Sequence, residues 1–166
     1  MKKHFVTFAR YNRWANARLY DETSRLSPEQ YREYRGAFFG SMHGTLSHIL
    51  VGDRIWMRRM TGEGPTHLRL DEQPYEDFAR LRHAREAEDE RIVHYVEGLD
   101  PRRLEGVLRY HNTVGEACEE PLVQVLAHFF NHQTHHRGQA HALLTELGRP
   151  SVVMDLIYFV RSGADA

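Results

Sequence analysis

Apolar residues return at intervals of three and four along four long stretches of this chain, and that spacing commits each stretch to a helix with one buried face. From His4 to near Leu26 the rhythm is kept by Phe5, Phe8, Tyr11, Ala15 and Leu19, and Ser27-Pro28 closes it. The stretch from about Phe38 to Met60 has Leu46, Ile49, Leu50, Ile55, Trp56 and Met57 on most of its sides and no internal proline, which predicts a largely buried helix. Thr61-Gly62-Glu63-Gly64-Pro65 ends it and opens an irregular loop to Pro74, with Asp71 or a residue after it expected to cap the third helix. Between Tyr75 and Glu97 a charge-rich segment keeps Phe78, Leu81, Ile92 and Val96 in register, and Gly98 stops it. A fourth helix is expected from Glu120-Pro121 to Leu147, with proline near its first turn and Gly148 just past its end.

Leu104 to Cys118 has another texture, with Val107, Leu108, Tyr110, Thr113 and Val114 around His111-Asn112, and reads as a short β-hairpin or extended loop before the last long helix. Asp155 is placed to cap a short C-terminal helix through Arg161. The expected fold is therefore all-α, a four-helix bundle with those two additions, and 166 residues fit one domain over 1–166. In such bundles metal sites are built from side chains on facing helices.

Charge excludes several partners. Lys plus Arg number 22 and Asp plus Glu 23, so no strong field invites nucleic acid or an acidic membrane surface. The opening Met1-Lys2-Lys3-His4-Phe5 starts like a signal peptide, but Arg10, Asn12 and Arg13 interrupt it. No stretch approaches the roughly 18 apolar residues of a membrane span. A single cysteine, Cys118, leaves no disulfide within the chain, which suits a reducing compartment, and a cytoplasmic location is expected.

Histidine is the surplus, at 12. His128, His132 and His136 follow one another at four-residue spacing, with His135 beside them. Taking His132 as zero, helical geometry puts His136 at about +40°, His128 at about −40° and His135 at about −60°. Val125, Leu143, Phe129, Leu147, Leu122 and Ala140 set the core-facing direction near about +50°, so His136 is expected at its centre and His132 beside it. A buried neutral imidazole has a donor and an acceptor that both need partners. A shared metal satisfies one on each ring; bonds to polar neighbours in the core would do so as well.

A third ligand should come from a facing helix, and His48 is the best placed, flanked one turn away by Gly44 and Gly52. Each helical glycine costs about 0.5–1 kcal/mol against alanine, so the pair needs a reason, such as close approach of a facing helix or space for a metal and its substrate. His43, about 140° away around the helix, does not share that face. Three histidines leave a divalent ion with open coordination positions. Zinc and nickel suit such ligands, with iron, copper and manganese compatible. His-Gln-Thr-His-His lacks the glutamate of a His-Glu-x-x-His peptidase.

These residues resemble the DinB/YfiT-like family of metal-binding four-helix bundles, also called damage-inducible DinB proteins. The resemblance is carried by Gly44-Thr45-Leu46-Ser47-His48-Ile49-Leu50 with Asp53-Arg54-Ile55-Trp56, and by Asn131-His132-Gln133-Thr134-His135-His136-Arg137-Gly138-Gln139. Tyr11-Asn12-Arg13-Trp14-Ala15-Asn16 and Gly148 with Asp155-Leu156-Ile157 extend it over nearly the whole chain. Ser47 departs from an asparagine frequent in the family, at a position that is not a ligand. The resemblance implies that His48, His132 and His136 are the metal triad, that the protein is a homodimer, and that its activity is a metal-dependent, thiol-dependent transfer between a low-molecular-weight thiol and a small electrophile. A non-catalytic metal-binding stress-response protein is the alternative. Arg85, Arg137 and Asn16 are the residues expected at the rim of a substrate pocket, Arg85 with Asp89 near the inner stripe of the third helix, although an exposed Arg137 and an interface-edge Arg85 are the plainer expectations. Asn12 and Asn16, four apart, are candidates to bond the ligands from behind, where solvated or backbone-bonded side chains are the plainer expectation. Cys118 is expected to be a small half-buried residue of the hairpin.

Overall fold

Residues 1–164 are described by a computed structural model. In chain order they form α1 (Lys2–Thr23), α2 (Pro28–Arg32), α3 (Met42–Thr61), α4 (Phe78–Gly98), a 3-10 turn (Pro101–Glu105), β1 (Val107–His111), β2 (Ala117–Pro121), α5 (Leu122–Glu146) and α6 (Leu156–Arg161). The protein is mostly helical with one small two-stranded sheet. Helix α1 lies against α4 and α5, and α3 lies against the same two. Helices α3 and α5, far apart in sequence, are thereby held side by side. No helix among the described residues is long and apolar enough to cross a membrane.

The helix starts are set by short polar side chains, and two of them shift the expected boundaries. Helix α3 begins at Met42 rather than Phe38 because the Ser41 hydroxyl accepts the Gly44 N–H at 3.1 Å. Before it, Ala37 bridges to Gly40, whose φ of 80° suits only glycine comfortably. Helix α4 begins at Phe78, capped by Asp77 accepting from Arg80 N at 2.9 Å, and not by Asp71. Asp71 instead pairs with Arg69 within the loop. Ser27-Pro28 does more than end α1: Ser27 and Gln30 form a reciprocal capping box that starts α2. Asp155 stands at the N-terminus of α6 without a side-chain cap bond, its carbonyl accepting from Tyr158 N at 3.1 Å.

The hairpin is present, paired antiparallel from Val107 opposite Pro121 to His111 opposite Ala117. Asn112 shapes its turn, its side-chain oxygen accepting from Val114 N and Glu116 N at 3.0 Å each.

The core has two large apolar parts, beside a small cluster of Tyr11, Ala15 and Phe159. One gathers Phe5, Met57, Ile92, Leu126 and Phe129; the other gathers Leu19, Leu46, Leu50, Leu81 and Leu144. On each of the four long helices a buried polar position separates them: Asn12 and Asn16 on α1, Asp53 on α3, Arg85 and Asp89 on α4, Gln133 and Arg137 on α5. This polar layer crosses the interior at the level of the α5 histidines.

Candidate metal centre

His48 rises from α3 and His132 and His136 from α5, and their ring nitrogens lie within 4.8 Å of one another. His48 Nε2 is 3.3 Å from His132 Nε2 and 3.2 Å from His136 Nε2. The other side of two rings is already occupied. His48 Nδ1 donates to the Leu70 carbonyl at 2.8 Å; His136 Nδ1 donates to Gln139 Oε1 at 2.8 Å. With their protons on Nδ1, the two Nε2 atoms present lone pairs to each other, a contact that is repulsive until a cation lies between them. His132 Nδ1 is buried and has no partner among the described residues.

Burial acts on all three. It pushes His48 down to about 4, with the charge of a protonated His136 adding to the effect and the bond to Leu70 opposing it. It pushes His132 down to about 3, assisted by His136, His48, His128 and His135. His136 is also lowered, chiefly by burial. All three are neutral at neutral pH, the form that binds metal.

Both glycines of α3 now have reasons. A Cβ on Gly52 would stand 2.9 Å from His132 Cε1, so the close approach of α5 requires its absence. A Cβ on Gly44 would stand 2.0 Å from the Phe39 carbonyl oxygen. The chain thus crosses α3 closely enough for Phe39 to stack on His48, ring centres 3.7 Å apart at 16°, and to meet His136 edge-on.

The α5 angles need correcting. Its buried residues include Leu126, Phe130, Gln133, Arg137 and Leu144, which turn the core-facing direction to about +90° on the same scale. His132 and His136 therefore sit at the edge of the buried stripe and are half-buried rather than central. An edge position leaves one side of the cluster open to a ligand. His128 lies against Trp56 and His132, with ring centres 5.1 and 5.9 Å away, and is not in the cluster. His135 meets Gln139, and His43 bonds the Tyr75 carbonyl at 2.8 Å.

Arg85, Arg137 and Asn16 are not at an open rim; their exposures are 1%, 2% and 1%. Arg85 donates to Asp53 at 2.5 Å and pairs with Asp89 at 3.0 Å. Asn12 and Asn16 donate to Asp89 at 3.0 and 2.9 Å, and Arg137 donates to Asn12 and Asn16. Burial pushes the Asp53 carboxyl up to about 6 against the pull of Arg85. An arginine is exposed by default, but α1 covers the side of α5 on which Arg137 lies.

Sequence reasoning missed Phe39, Leu70 and Gln139. Gln139 had a signal, since a residue three places after His136 shares its helical face. The Leu70 contact is a backbone carbonyl and leaves no trace in side-chain pattern.

Comparison with known proteins bears on the family. The sequence pattern of the DinB family matches residues 1–164. "Protein DinB" from Bacillus subtilis (strain 168) is 28% identical over 151 residues, covering 87% of this chain and 87% of that protein. A His48, His132 and His136 cluster able to hold a metal ion thus stands in a chain matched almost end to end, and the chain belongs to the DinB family.

Proposed function

We propose that this protein is a metal-dependent transferase of the four-helix-bundle type, in which His48, His132 and His136 hold a divalent transition metal, zinc or nickel foremost. The observation that carries the metal reading is the convergence of Nε2 lone pairs whose Nδ1 protons are already engaged by Leu70 and Gln139. The donor set fits: three neutral imidazoles, each held by burial in its ligating form. When bound, such an ion lowers the pKa of a thiol sulfur until the nucleophilic thiolate predominates near neutrality. The chain's own residues do the rest. Leu70 and Gln139 fix two of the rings, and Phe39 covers the face of His48. His132 and His136 are half-buried, and a low-molecular-weight thiol and a small electrophile would approach from their exposed side.

Arg85, Arg137 and Asn16 back the site, locking α1, α4 and α5 together behind the histidines. A homodimer is proposed as well, supported by an apolar groove between α1 and α5 lined by Phe5, Phe8, Val123 and Phe130; sedimentation of the purified protein reads the oligomer directly.

The test of activity is incubation of metal-loaded protein with a panel of low-molecular-weight thiols and an epoxide or aryl chloride acceptor, with thiol loss as the readout. Turnover that disappears on chelation and in His136→Ala supports the transferase. No turnover across the panel removes it in favour of a non-catalytic metal-binding stress protein. That second reading is favoured by one observation: the triad ties α3 to α5, so a bound ion would brace the fold.

A further inference from the structure

The face of α3 that carries His48 and Gly52 continues to Ile55 and Arg59, seven and eleven residues beyond His48, which returns them to nearly the same helical angle. There α3, the loop after it and the hairpin wall a cavity of about 380 Å³, which none of the triad histidines lines. Its size suits a small molecule.

Three arginines line it, Arg58, Arg59 and Arg109, and no aspartate or glutamate does. Arg109 is paired with Glu119. Among the described residues Arg58 reaches only a backbone oxygen, that of Gly64 at 2.7 Å. Arg59 is held between Trp56 and Tyr110, its guanidinium carbon 4.6 and 4.7 Å from their ring centres. Among the described residues it makes no ion pair or hydrogen bond, although the field of Glu120 reaches it. Two guanidinium groups without a carboxylate partner, one of them pre-oriented by aromatic rings, are the requirements for recognising a carboxylate.

His67 lines the same cavity and gives an independent observation. Its side chain is 6% exposed, its Nδ1 lies 2.8 Å from Glu72 Oε2, and its Nε2 is buried with no partner among the described residues. With Nδ1 donating to the carboxylate, Nε2 offers a lone pair, and a buried acceptor left unsatisfied is costly. A ligand O–H or N–H would satisfy it.

We propose that this cavity binds a small organic acid, its carboxylate on Arg59 and Arg58 and a nearby hydroxyl or amino group donating to His67 Nε2. The site does not depend on the metal centre or its activity.

Binding of 3-hydroxybutyrate and of butyrate to the metal-loaded protein, monitored at the Trp56 indole resonance at fixed ionic strength, tests it. The hydroxy acid should bind saturably and about fivefold more tightly than butyrate, the difference of one hydrogen bond. Arg59→Ala should weaken both by about tenfold or more, and His67→Phe should erase the preference while leaving butyrate affinity intact. His136→Ala should change neither. Absence of saturable binding by either acid, or equal affinity of the two for the wild-type protein, would overturn the proposal without any variant. Loss of binding in His136→Ala would overturn it too, by placing the acids on the triad.

Discussion

His48 Nε2 and His136 Nε2 face each other at 3.2 Å across the α3–α5 contact, each with its proton committed to Nδ1 on the far side of the ring. Such an arrangement holds a cation or must relax. Removing one member should therefore empty the site: His48→Ala and His136→Ala are each expected to lower bound metal, by elemental analysis after purification without chelators, from near one ion per chain to a small fraction of that. Unchanged metal content in either variant would sink the assignment.

The pH response arises from the same rings. Folding holds His48 down to about 4 and His132 down to about 3, from a value of 6.5 when unfolded. Between those values the unfolded chain binds protons that the native protein does not, so stability rises with pH there. For metal-free protein the contribution is complete above about 6.5 and is lost as pH falls toward about 3. Melting temperatures of chelator-treated protein across that window should fall with acidification, and a His48→Gln, His132→Gln double variant should flatten the slope. Metal should be released over the same range, since protons compete for the same nitrogens.

Gly52 separates packing from ligation. An added Cβ would stand 2.9 Å from His132 Cε1 and so displace a ligand ring, while alanine gains about 1 kcal/mol of helix propensity over glycine. In Gly52→Ala, metal affinity is expected to drop about 10–100-fold, the usual cost of disturbing a ligand's support. The melting temperature of the metal-free protein should shift only slightly. Competition with a chromophoric chelator measures the first quantity and calorimetry the second.

The sequence was most legible where periodicity alone decides the outcome. The four long helices come from it, and so does the pairing of His132 with His136 four residues later; the hairpin comes from a change of composition. Hidden from it were features made by the partner of each element. Arg137 lies about 140° from His132, outside any stripe drawn from the α3 contact alone, yet α1 buries it. Phe39 looked like the start of a helix and instead crosses α3 beside Gly44 to stack on His48. Asn12, Asn16, Arg85 and Asp89 each have a local reading as a ligand support, a rim residue or an interface edge; only the assembled interior shows them satisfying one another.

That interior makes the last prediction. Arg85 is 1% exposed and joins Asp53 of α3 to Asp89 of its own helix, which in turn holds Asn12 and Asn16 of α1. Removing the arginine strands two buried carboxylates, one of them, Asp53, already pushed up to about 6 by burial. Breaking a buried pair from one side typically costs about 3–5 kcal/mol, so Arg85→Ala should be strongly destabilised in urea unfolding. Because the stranded groups are carboxylates, an Arg85→Met, Asp53→Asn double variant should recover part of the loss by replacing charge with neutral groups of similar volume. Metal content of the folded fraction should be preserved in both, since neither residue touches His48, His132 or His136. A double variant no more stable than Arg85→Ala would show that the stranded Asp53 charge does not carry the cost.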